Sequence, residues 1–385
     1  MAELDRVLAD AVSAEHVPFV VGMAANSEGV IWSGAAGEAR SGVPAQTNTV
    51  CRIFSMTKAV GSTAAMILID RGQLSADTPV AQILPEFAQR QVLDGFNADG
   101  SPRMRPPRTP ATVRHLATHT SGLTYEFWNS DVPRYMQATG LTSILSGSRS
   151  SLHYPLLFDP GTRWDYGIGI DWLGQVVERV DGRTIDQFCR EELFEPLGMK
   201  DTRFEADIDI QPRLASVRMR GEDGHFADFE LAPPASPEFY GMGHTLYSTA
   251  PDYIRFLRMY LNKGQLDGRR VLSEAGLASM LANQIGDIPI PLLKTTVPAV
   301  TADAEFFPGR KKSHSLAFER IEEDVPGMRS AGSQFWAGVC NTHFWFDPKK
   351  DVAGVILTQT LPFAEPRFMA VYEAFERGVY GALNQ

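Results

Sequence analysis

The chain has 385 residues, of which 44% are hydrophobic and 10% aromatic, so it can form about two domains or subdomains around a large core. Its formal net charge is -10 at pH 7 and it has no long run of lysine and arginine, which argues against binding nucleic acid. The three cysteines are far apart in the sequence, which argues against a disulfide framework. The acidic amino-terminal residues argue against a secretory signal, and no apolar stretch is long enough to cross a membrane. We therefore expect a cytoplasmic protein.

The first half of the chain opens with a predicted helix and a predicted hairpin. The amino-terminal residues have an amphipathic helical pattern, and two apolar stretches, residues 19–26 and 29–37, flank a small turn, which predicts an antiparallel hairpin. From Met56 onward apolar residues recur at helical spacing without an early proline, so a helix is expected there. Residues 59–200 have mostly helical and loop-like patterns, and residues 96–112 are expected to be an irregular excursion.

The second half of the chain ends in another predicted hairpin and helix. Residues 342–348 and 351–360 have the pattern of antiparallel strands, and Pro366–Leu383 has helical periodicity. Strands therefore concentrate near both ends, which predicts one sheet built from both termini with a helical region inserted between them. Residues 285–328 are rich in proline and charge, so no element is assigned to them, and they are expected to border a substrate cleft.

Three polar residues are candidates for catalysis. Ser55 and Lys58 lie three residues apart at the start of a predicted helix, so they share one face beside the free N–H groups of its first turn. A serine there is more often a helix cap, and the spacing alone is weak evidence of a nucleophile. Tyr166 follows a Pro-Gly turn and precedes a helix, which would let its phenol face a cleft; a buried structural tyrosine fits the same pattern.

A histidine pair and a histidine next to a serine have simpler interpretations. His115 and His119 are four residues apart, a metal-binding spacing on a helix, but no adjacent glutamate and no third ligand accompany them, so no metal site is predicted. Ser121 lies close to His119, yet near neighbours in sequence rarely form a catalytic pair, and a helix ending in a turn explains the segment. Without a G-x-S-x-G motif, an ordinary α/β-hydrolase is disfavoured.

Six motifs occur along the chain in a fixed order. They are FSMTK, LATHTSGL, FDPGTRWDYGIGIDWLG, EPLGMKDTRF, LYSTAPDYIRFLRMYLN and GSQFWAGVCNTHFWFDP. With these motifs the chain resembles the serine beta-lactamase and penicillin-binding protein superfamily, and within it the family VIII carboxylesterases, which are similar to class C beta-lactamases. Together they span nearly the whole chain, so they carry more weight than one Ser-x-x-Lys spacing.

The resemblance implies a fold and three roles. The fold would be of the α/β (α+β) class, an antiparallel sheet flanked by helices and joined to a mostly helical domain. We expect residues 1–60 and 201–385 to form the sheet domain and residues 61–200 the helical domain, with the active site between them. Ser55 would be the nucleophile, Lys58 its partner on the helix, and Tyr166 the tyrosine of the second motif.

These residue types suit acyl transfer on chemical grounds as well. A serine hydroxyl needs a neighbouring base, and keeping a lysine neutral near pH 7 requires a bias of about 4 kcal/mol, which burial can supply. Lys58 and Tyr166 would titrate as a coupled pair, and the sequence leaves open which of them takes the proton. The oxyanion would be held by the backbone N–H groups of Ser55 and Val339.

Departures from the beta-lactamase motifs indicate the substrate class. Tyr166 is followed by Gly167 and Ile168 where beta-lactamases have Tyr-x-Asn, and Trp336 opens a Trp-Ala-Gly sequence where they have Lys-Thr-Gly. The charged anchor for an anionic substrate is therefore missing, and a tryptophan offers an apolar wall. Family VIII esterases usually have Trp-Gly-Gly here. Substrate contacts are expected from Tyr125, Trp336 and Gly338.

The predicted function is hydrolysis of small neutral carboxylic esters through an acyl-Ser55 intermediate, without a metal or an organic cofactor. The expected partner is a small-molecule ester, with no nucleic acid and no membrane, and the oligomeric state is left open. The alternatives are acyl transfer to an alcohol, weak beta-lactam or peptide hydrolysis, and a catalytically silent binding protein.

Overall fold

A computed structural model describes residues 2–383, and this range begins and ends with a helix. Within that range the α-helices, α1 to α11 in chain order, are Ala2–Ser13, Thr57–Asp70, Val80–Ile83, Val113–Ala117, Asp131–Thr139, Gly169–Asp181, Ile185–Cys189, Glu195–Leu197, Ala250–Leu261, Glu274–Leu281 and Pro366–Leu383. The strands, β1 to β17, are Phe19–Ala25, Val30–Arg40, Val43–Pro44, Cys51–Arg52, Val92–Phe96, Pro102–Arg105, Arg218–Arg220, Phe226–Asp228, Tyr247–Ser248, Gln265–Leu266, Arg269–Arg270, Lys312–His314, Glu319–Ile321, Gln334–Gly338, Thr342–Asp347, Val352–Leu357 and Thr360–Leu361. Short 3-10 turns occur at Phe54–Met56, Pro85–Gln89, Ile144–Ser146, Arg149–Leu152 and Gln211–Arg213, and a π turn at Arg190–Phe194.

One large antiparallel sheet joins the two ends of the chain, as predicted. Its eight strands follow the order β12-β13-β14-β15-β16-β1-β2-β3. The two predicted hairpins are β1 with β2 and β15 with β16, and β16 pairs with β1 to connect them. The predicted α/β class, an antiparallel sheet flanked by helices, is therefore confirmed.

Both faces of the sheet are covered, because alternate residues of each strand point to opposite sides. On β15, Trp345 packs against Phe375 of the carboxyl-terminal helix α11, with ring centroids 5.8 Å apart. Its neighbour Phe344 points the other way, toward Tyr253 of α9 at 5.0 Å. The helices α1 and α11 thus cover one face, and α9 lies on the face that also meets α2 and the helical region.

Helix α2 is the central element of the helical region. Twelve of its fourteen residues are buried, from Thr57 to Leu68, because most of them are small or apolar and occur on every side of the helix. It packs against α6, and a Cβ at Gly61 would meet Ile170 at 3.2 Å and Met242 at 2.7 Å. The start of α2 is therefore fixed in position. The predicted domain limits stay a prediction, and their outer ends at residues 1 and 385 lie outside the described residues.

The stretch expected to be an irregular excursion contains a strand of a hairpin instead. Strands β5 and β6 pair around a turn in which the Asn97 N–H donates to the Ser101 carbonyl at 2.8 Å and Gly100 has φ +86°. Residues of β6 are only partly buried or exposed, so they show no alternation of apolar and polar residues. The turn signal was present in the sequence, but the strand signal was hidden by arginine and proline.

The helices and the cysteines relate to the predicted cytoplasmic location. Within residues 2–383, no helix has the length and apolar character needed to cross a bilayer. Cys51, Cys189 and Cys340 are buried free thiols, and burial raises the pKa of each. The cytoplasmic location stays a prediction.

The crossing of Trp345 over β16 generates a stability prediction. A Cβ at Gly354 would overlap the Trp345 ring, which is fully buried, so Gly354→Ala should lower the free energy of unfolding by about 1–3 kcal/mol. Gly381→Ala in α11 is the matched control, because nothing lies within 4 Å of its added Cβ and alanine favours a helix. Urea unfolding of both variants measures the difference. Equal stabilities would contradict this packing.

Candidate active site

Ser55 lies on a strained turn at the start of α2. The residue before it, Phe54, has φ +41°, a region that residues other than glycine seldom occupy. The Phe54 ring is buried in a small cluster with Val217, Cys340 and Leu361. This packing holds the backbone in a conformation that costs about 1–3 kcal/mol elsewhere. Strain of this kind is often found next to functional residues.

The three residues predicted to act together meet at one atom. The Tyr166 hydroxyl donates to Ser55 Oγ at 2.6 Å, and Lys58 Nζ lies 3.2 Å from the same Oγ. Tyr166 comes from the loop before α6, as its Pro-Gly turn predicted, whereas Ser55 and Lys58 come from consecutive turns at the start of α2. The structure therefore brings Ser55, Lys58 and Tyr166 together from positions 111 residues apart.

Lys58 is buried, and its other neighbours are polar. Its Nζ donates to the Tyr125 hydroxyl at 2.9 Å and to the Gly243 carbonyl at 2.7 Å. Burial lowers the pKa of Lys58 to about 7, opposed by the charge of Asp171. A neutral amine has two N–H groups and one lone pair. With the N–H groups directed to Tyr125 and Gly243, the lone pair faces Ser55 Oγ.

Tyr166 has the opposite tendency. Burial raises the pKa of its phenol, opposed by the hydrogen bond to Ser55. The phenol is therefore protonated near neutral pH and can donate to Ser55 Oγ. Of the two candidates for the base, the electrostatics favour Lys58.

Sequence reasoning missed a buried carboxylate close to Lys58. Asp171 of α6 is fully buried, and its Oδ1 accepts the Gly243 N–H at 2.9 Å and lies 3.4 Å from His244 Nδ1. A Cβ at Gly241 or Gly243 would come within 2.6 or 2.5 Å of its oxygens, so these glycines make room for the carboxylate. The N–H and the carbonyl of one residue, Gly243, thus link Asp171 to Lys58. An aspartate inside an apolar helical stretch was the only signal in the sequence.

Strand β14 passes close to Ser55 because it carries a glycine. A Cβ at Gly338 would overlap the Ile53 carbonyl oxygen and contact Thr342, so any larger residue would push the strand away from the turn. Val339, the next residue, lines the same cavity as Ser55. The oxyanion role of the Ser55 and Val339 amides, and the substrate contact of Gly338, stay predictions.

Ser55 lines a cavity whose walls are mostly apolar. Trp336 forms part of the wall, with its ring 5.0 Å from that of Tyr166 and nearly perpendicular to it. Residues 285–328, which were expected to border a cleft, supply much of the lining. The cavity is lined by Ser55, Phe127, Trp128, Trp164, Tyr166, Ile290, Pro291, Leu293, Thr301, Ala304, Glu305, Phe306, Lys312, Glu319, Trp336, Ala337, Gly338, Val339 and Phe363. Tyr125 lies behind Lys58, and its contact with substrate stays a prediction.

The histidine pair is separated by the end of a helix. Helix α4 ends at Ala117, and His119 has φ +57°, so His115 and His119 do not share a helical face. His115 Nδ1 accepts the Thr112 N–H at 3.2 Å as part of a helix cap. The His119 ring packs on Tyr166 at 4.9 Å, and burial lowers the pKa of His119. His119 therefore supports the tyrosine as a neutral ring, a role that the sequence did not indicate.

Known proteins resemble the chain along nearly its whole length. The family described as Beta-lactamase matches residues 4–378. A protein named lovastatin esterase, from Penicillium rubens, is 30% identical over 352 residues, covering 88% of this chain and 86% of its own. Monacolin J acid methylbutanoyltransferase from Aspergillus terreus is 29% identical over 357 residues, covering 89% of this chain and 84% of its own.

Solved structures show the same fold. A mutant of simvastatin synthase from Aspergillus terreus superposes with a TM-score of 0.86 at 27% identity, covering 99% of this chain and 95% of that chain. EstCE1, described as a hydrolase with promiscuous acyltransferase activity, superposes with a TM-score of 0.77 at 22% identity, covering 97% of this chain and 98% of that chain. At this identity the similarity shows the fold alone. The chain belongs to the beta-lactamase family of serine hydrolase-like enzymes, as its ordered motifs predicted.

Proposed function

We propose that the chain hydrolyses small neutral carboxylic esters through an acyl-Ser55 intermediate. One observation carries the proposal: Ser55 Oγ accepts a hydrogen bond from Tyr166 at 2.6 Å and lies 3.2 Å from the buried amine of Lys58. A serine held in this way has a base and a proton donor at once. A silent binding protein would not need to keep a lysine buried at such a cost.

In the proposed first step, the lone pair of Ser55 Oγ attacks the ester carbonyl carbon while its proton passes to neutral Lys58. The carbonyl electrons move to the oxygen, which the amides of Ser55 and Val339 stabilise. The carbon–alkoxy bond then breaks, the alkoxide takes the Tyr166 proton, and Lys58 returns a proton to Tyr166. The alcohol leaves and acyl-Ser55 remains.

In the second step, water attacks the acyl carbon. Its proton passes to Lys58, directly or through Tyr166, and the carboxylic acid leaves as Ser55 Oγ regains a proton. The first step passes one proton from the protein to the leaving alcohol and the second step regains one from water, so the number of protons on the protein is unchanged over the cycle. Both steps use the same two groups in opposite directions, as general acid–base catalysis requires.

The cavity beside Ser55 supports an uncharged, apolar substrate. Trp336 stands where beta-lactamases have the lysine that receives an anionic substrate, and the nearby walls include Phe127, Trp164 and Phe363. An anionic beta-lactam or peptide would lose its hydration against these rings without gaining an ion pair close to Ser55. The assignment to the family VIII esterases belongs to this proposal.

Transfer of the acyl group to an alcohol is a second candidate, favoured by the names of two similar proteins, the methylbutanoyltransferase and the simvastatin synthase. It uses the same acyl-Ser55 and replaces water by an acceptor alcohol in the second step. The ratio of acid to new ester, measured with and without an added alcohol, separates the two activities.

Removing the nucleophile tests the proposal. We expect Ser55→Ala to lower kcat on a short-chain chromogenic ester by at least about a thousandfold, because the acyl intermediate can no longer form. Ser121→Ala is the matched control, since Ser121 is also a buried serine but lies outside the lining of the cavity, and it should keep activity within about threefold. Near-full activity in Ser55→Ala would refute the assignment.

The pH profile tests the base. Because Lys58 must be neutral to accept a proton, kcat/KM should rise with pH through about 7. Asp171→Asn removes a charge that raises the pKa of Lys58, while its amide oxygen can still accept the Gly243 N–H. The rise of kcat/KM should therefore move to lower pH. The plateau value of kcat/KM should stay within about threefold of that of the unmodified protein.

Asp181→Asn, at the other end of α6, is the control for that shift, because Asp181 pairs with Arg183 instead. Its profile should match that of the unmodified protein. If kcat/KM of Asp171→Asn rises over the same pH range as in the unmodified protein, a group other than Lys58 causes the rise.

The tryptophan wall tests the substrate class. Trp336→Lys should shift the kcat/KM ratio between a cephalosporin and a neutral ester toward the cephalosporin by about fivefold to a hundredfold, since a charge-assisted contact contributes about 1–3 kcal/mol. Trp336→Phe keeps an apolar wall and should leave the ratio unchanged. Melting curves verify folding, and an unchanged ratio in folded Trp336→Lys would remove Trp336 from the specificity argument.

A further inference from the structure

The cavity that contains Ser55 has a charged portion that the proposed chemistry does not use. Glu305, Lys312 and Glu319 line it together with the apolar residues. Lys312 lies on β12 and Glu319 on β13, the outer strands of the large sheet, and the segment before β12 supplies Glu305. Charged groups in an apolar cavity are costly to bury unless they are paired or meet a ligand.

The Lys312 side chain is largely buried, and some of its N–H groups have hydrogen-bond partners. Its Nζ donates to Glu305 Oε1 at 3.2 Å and to the Phe306 carbonyl at 2.6 Å, and 4% of its side chain is exposed. An ammonium has three N–H groups, so residues of the described chain account for two of them. The third can donate to a ligand.

Glu319 offers the complementary group. It is 3% exposed, and its Oε1 is buried without a hydrogen-bond partner among residues 2–383. Burial raises the pKa of Glu319 to about 7, opposed by the charge of Lys312. A buried acceptor without a partner destabilises a protein, whereas a donor from a ligand would satisfy it.

We propose that Lys312 and Glu319 form a polar subsite that binds an uncharged hydroxyl group of the ester substrate, with Lys312 donating to its oxygen and Glu319 accepting its proton. A hydroxyl can donate and accept at once. A ligand ammonium only donates and would leave the third N–H of Lys312 without an acceptor, whereas a ligand carboxylate only accepts and would leave Glu319 without a donor. This inference rests on the proposed ester hydrolysis and narrows its substrate class.

The other lining residues indicate the chemistry of the part of the substrate that lies between its ester group and its hydroxyl group. Phe306, Phe363 and Leu293 belong to the same cavity, so the part of the molecule between the ester and the hydroxyl should be apolar. We place the acyl part of the ester in this cavity, so the favoured substrate is an ester whose acyl part is a hydrocarbon body with a hydroxyl at its far end.

Matched esters test the subsite. We would measure kcat/KM for p-nitrophenyl alkanoates and for their ω-hydroxy counterparts of equal chain length, from short to medium chains. At one chain length the hydroxy ester should be preferred about tenfold to 150-fold, the range of one hydrogen bond to a charged group. Without the subsite the hydroxyl would only lose hydration, and the plain ester would be preferred at every length.

Variants assign the preference to these residues. Glu319→Leu should reduce the preference for the hydroxy ester to within about twofold, while the plain ester is still hydrolysed. Glu319→Gln keeps an accepting oxygen and should retain part of this preference. Lys312→Met removes the donor and should weaken the preference in the same way, which gives a second variant if Glu319→Leu does not fold. Thr301→Val is the control, because Thr301 lines the cavity but its hydroxyl already contacts that of Thr295 at 2.6 Å.

The outcomes separate this inference from the proposed function. If plain esters form acyl-Ser55 but no hydroxy ester is preferred, or if the preference survives in Glu319→Leu, the subsite is refuted and the hydrolase proposal stands. A preference for an ω-amino ester would also refute it, because the site would then bind a cation. If neither ester is hydrolysed and Ser55 carries no acyl group, the proposed function fails first.

Discussion

The burial of the Lys58 amine against Ser55 is the interaction on which the rest of this site depends. An exposed lysine would be charged near neutral pH and could not accept a proton from serine. Here the apolar helix α2 and its neighbours exclude water, and the Tyr125 hydroxyl and Gly243 carbonyl take the N–H groups of the amine. Asp171 accepts the N–H of the same Gly243 whose carbonyl accepts from Lys58, so the position of that carbonyl depends on a contact between α6 and a distant loop.

Several parts of the chain must meet for this arrangement to form. The large sheet brings β14 from the carboxyl-terminal half beside the turn that carries Ser55, and Gly338 allows the close approach. Buried Phe54 holds the strained turn, and the helical region supplies Tyr166 against the ring of His119. Residues 285–328 then complete the cavity wall and, with Lys312 and Glu319, give it a polar portion.

The sequence predicted what depends on local pattern or on ordered motifs. The two hairpins and the helix after Ser55 have strong periodicity, and the motif order named Ser55, Lys58 and Tyr166, which the structure brings into contact. Asp171 was not predicted, because nothing local distinguishes a carboxylate that contacts a backbone amide 72 residues away. The hairpin of β5 and β6 was missed because its strands are short and charged, and the pair Lys312 and Glu319 lies in a segment without periodicity.

The rate at which an organophosphonate with fluoride as its leaving group modifies Ser55, followed across pH, tests the central claim most directly. This reaction needs the base and the nucleophile, but it expels fluoride, so no leaving alcohol is protonated and no second step follows. Peptide mass spectrometry locates the adduct. We expect a single adduct on Ser55 whose rate of formation rises with pH through about 7, as Lys58 loses its proton. An adduct on another serine, or a rate that begins to rise only near the ordinary pKa of lysine, about 10.4, would contradict the account.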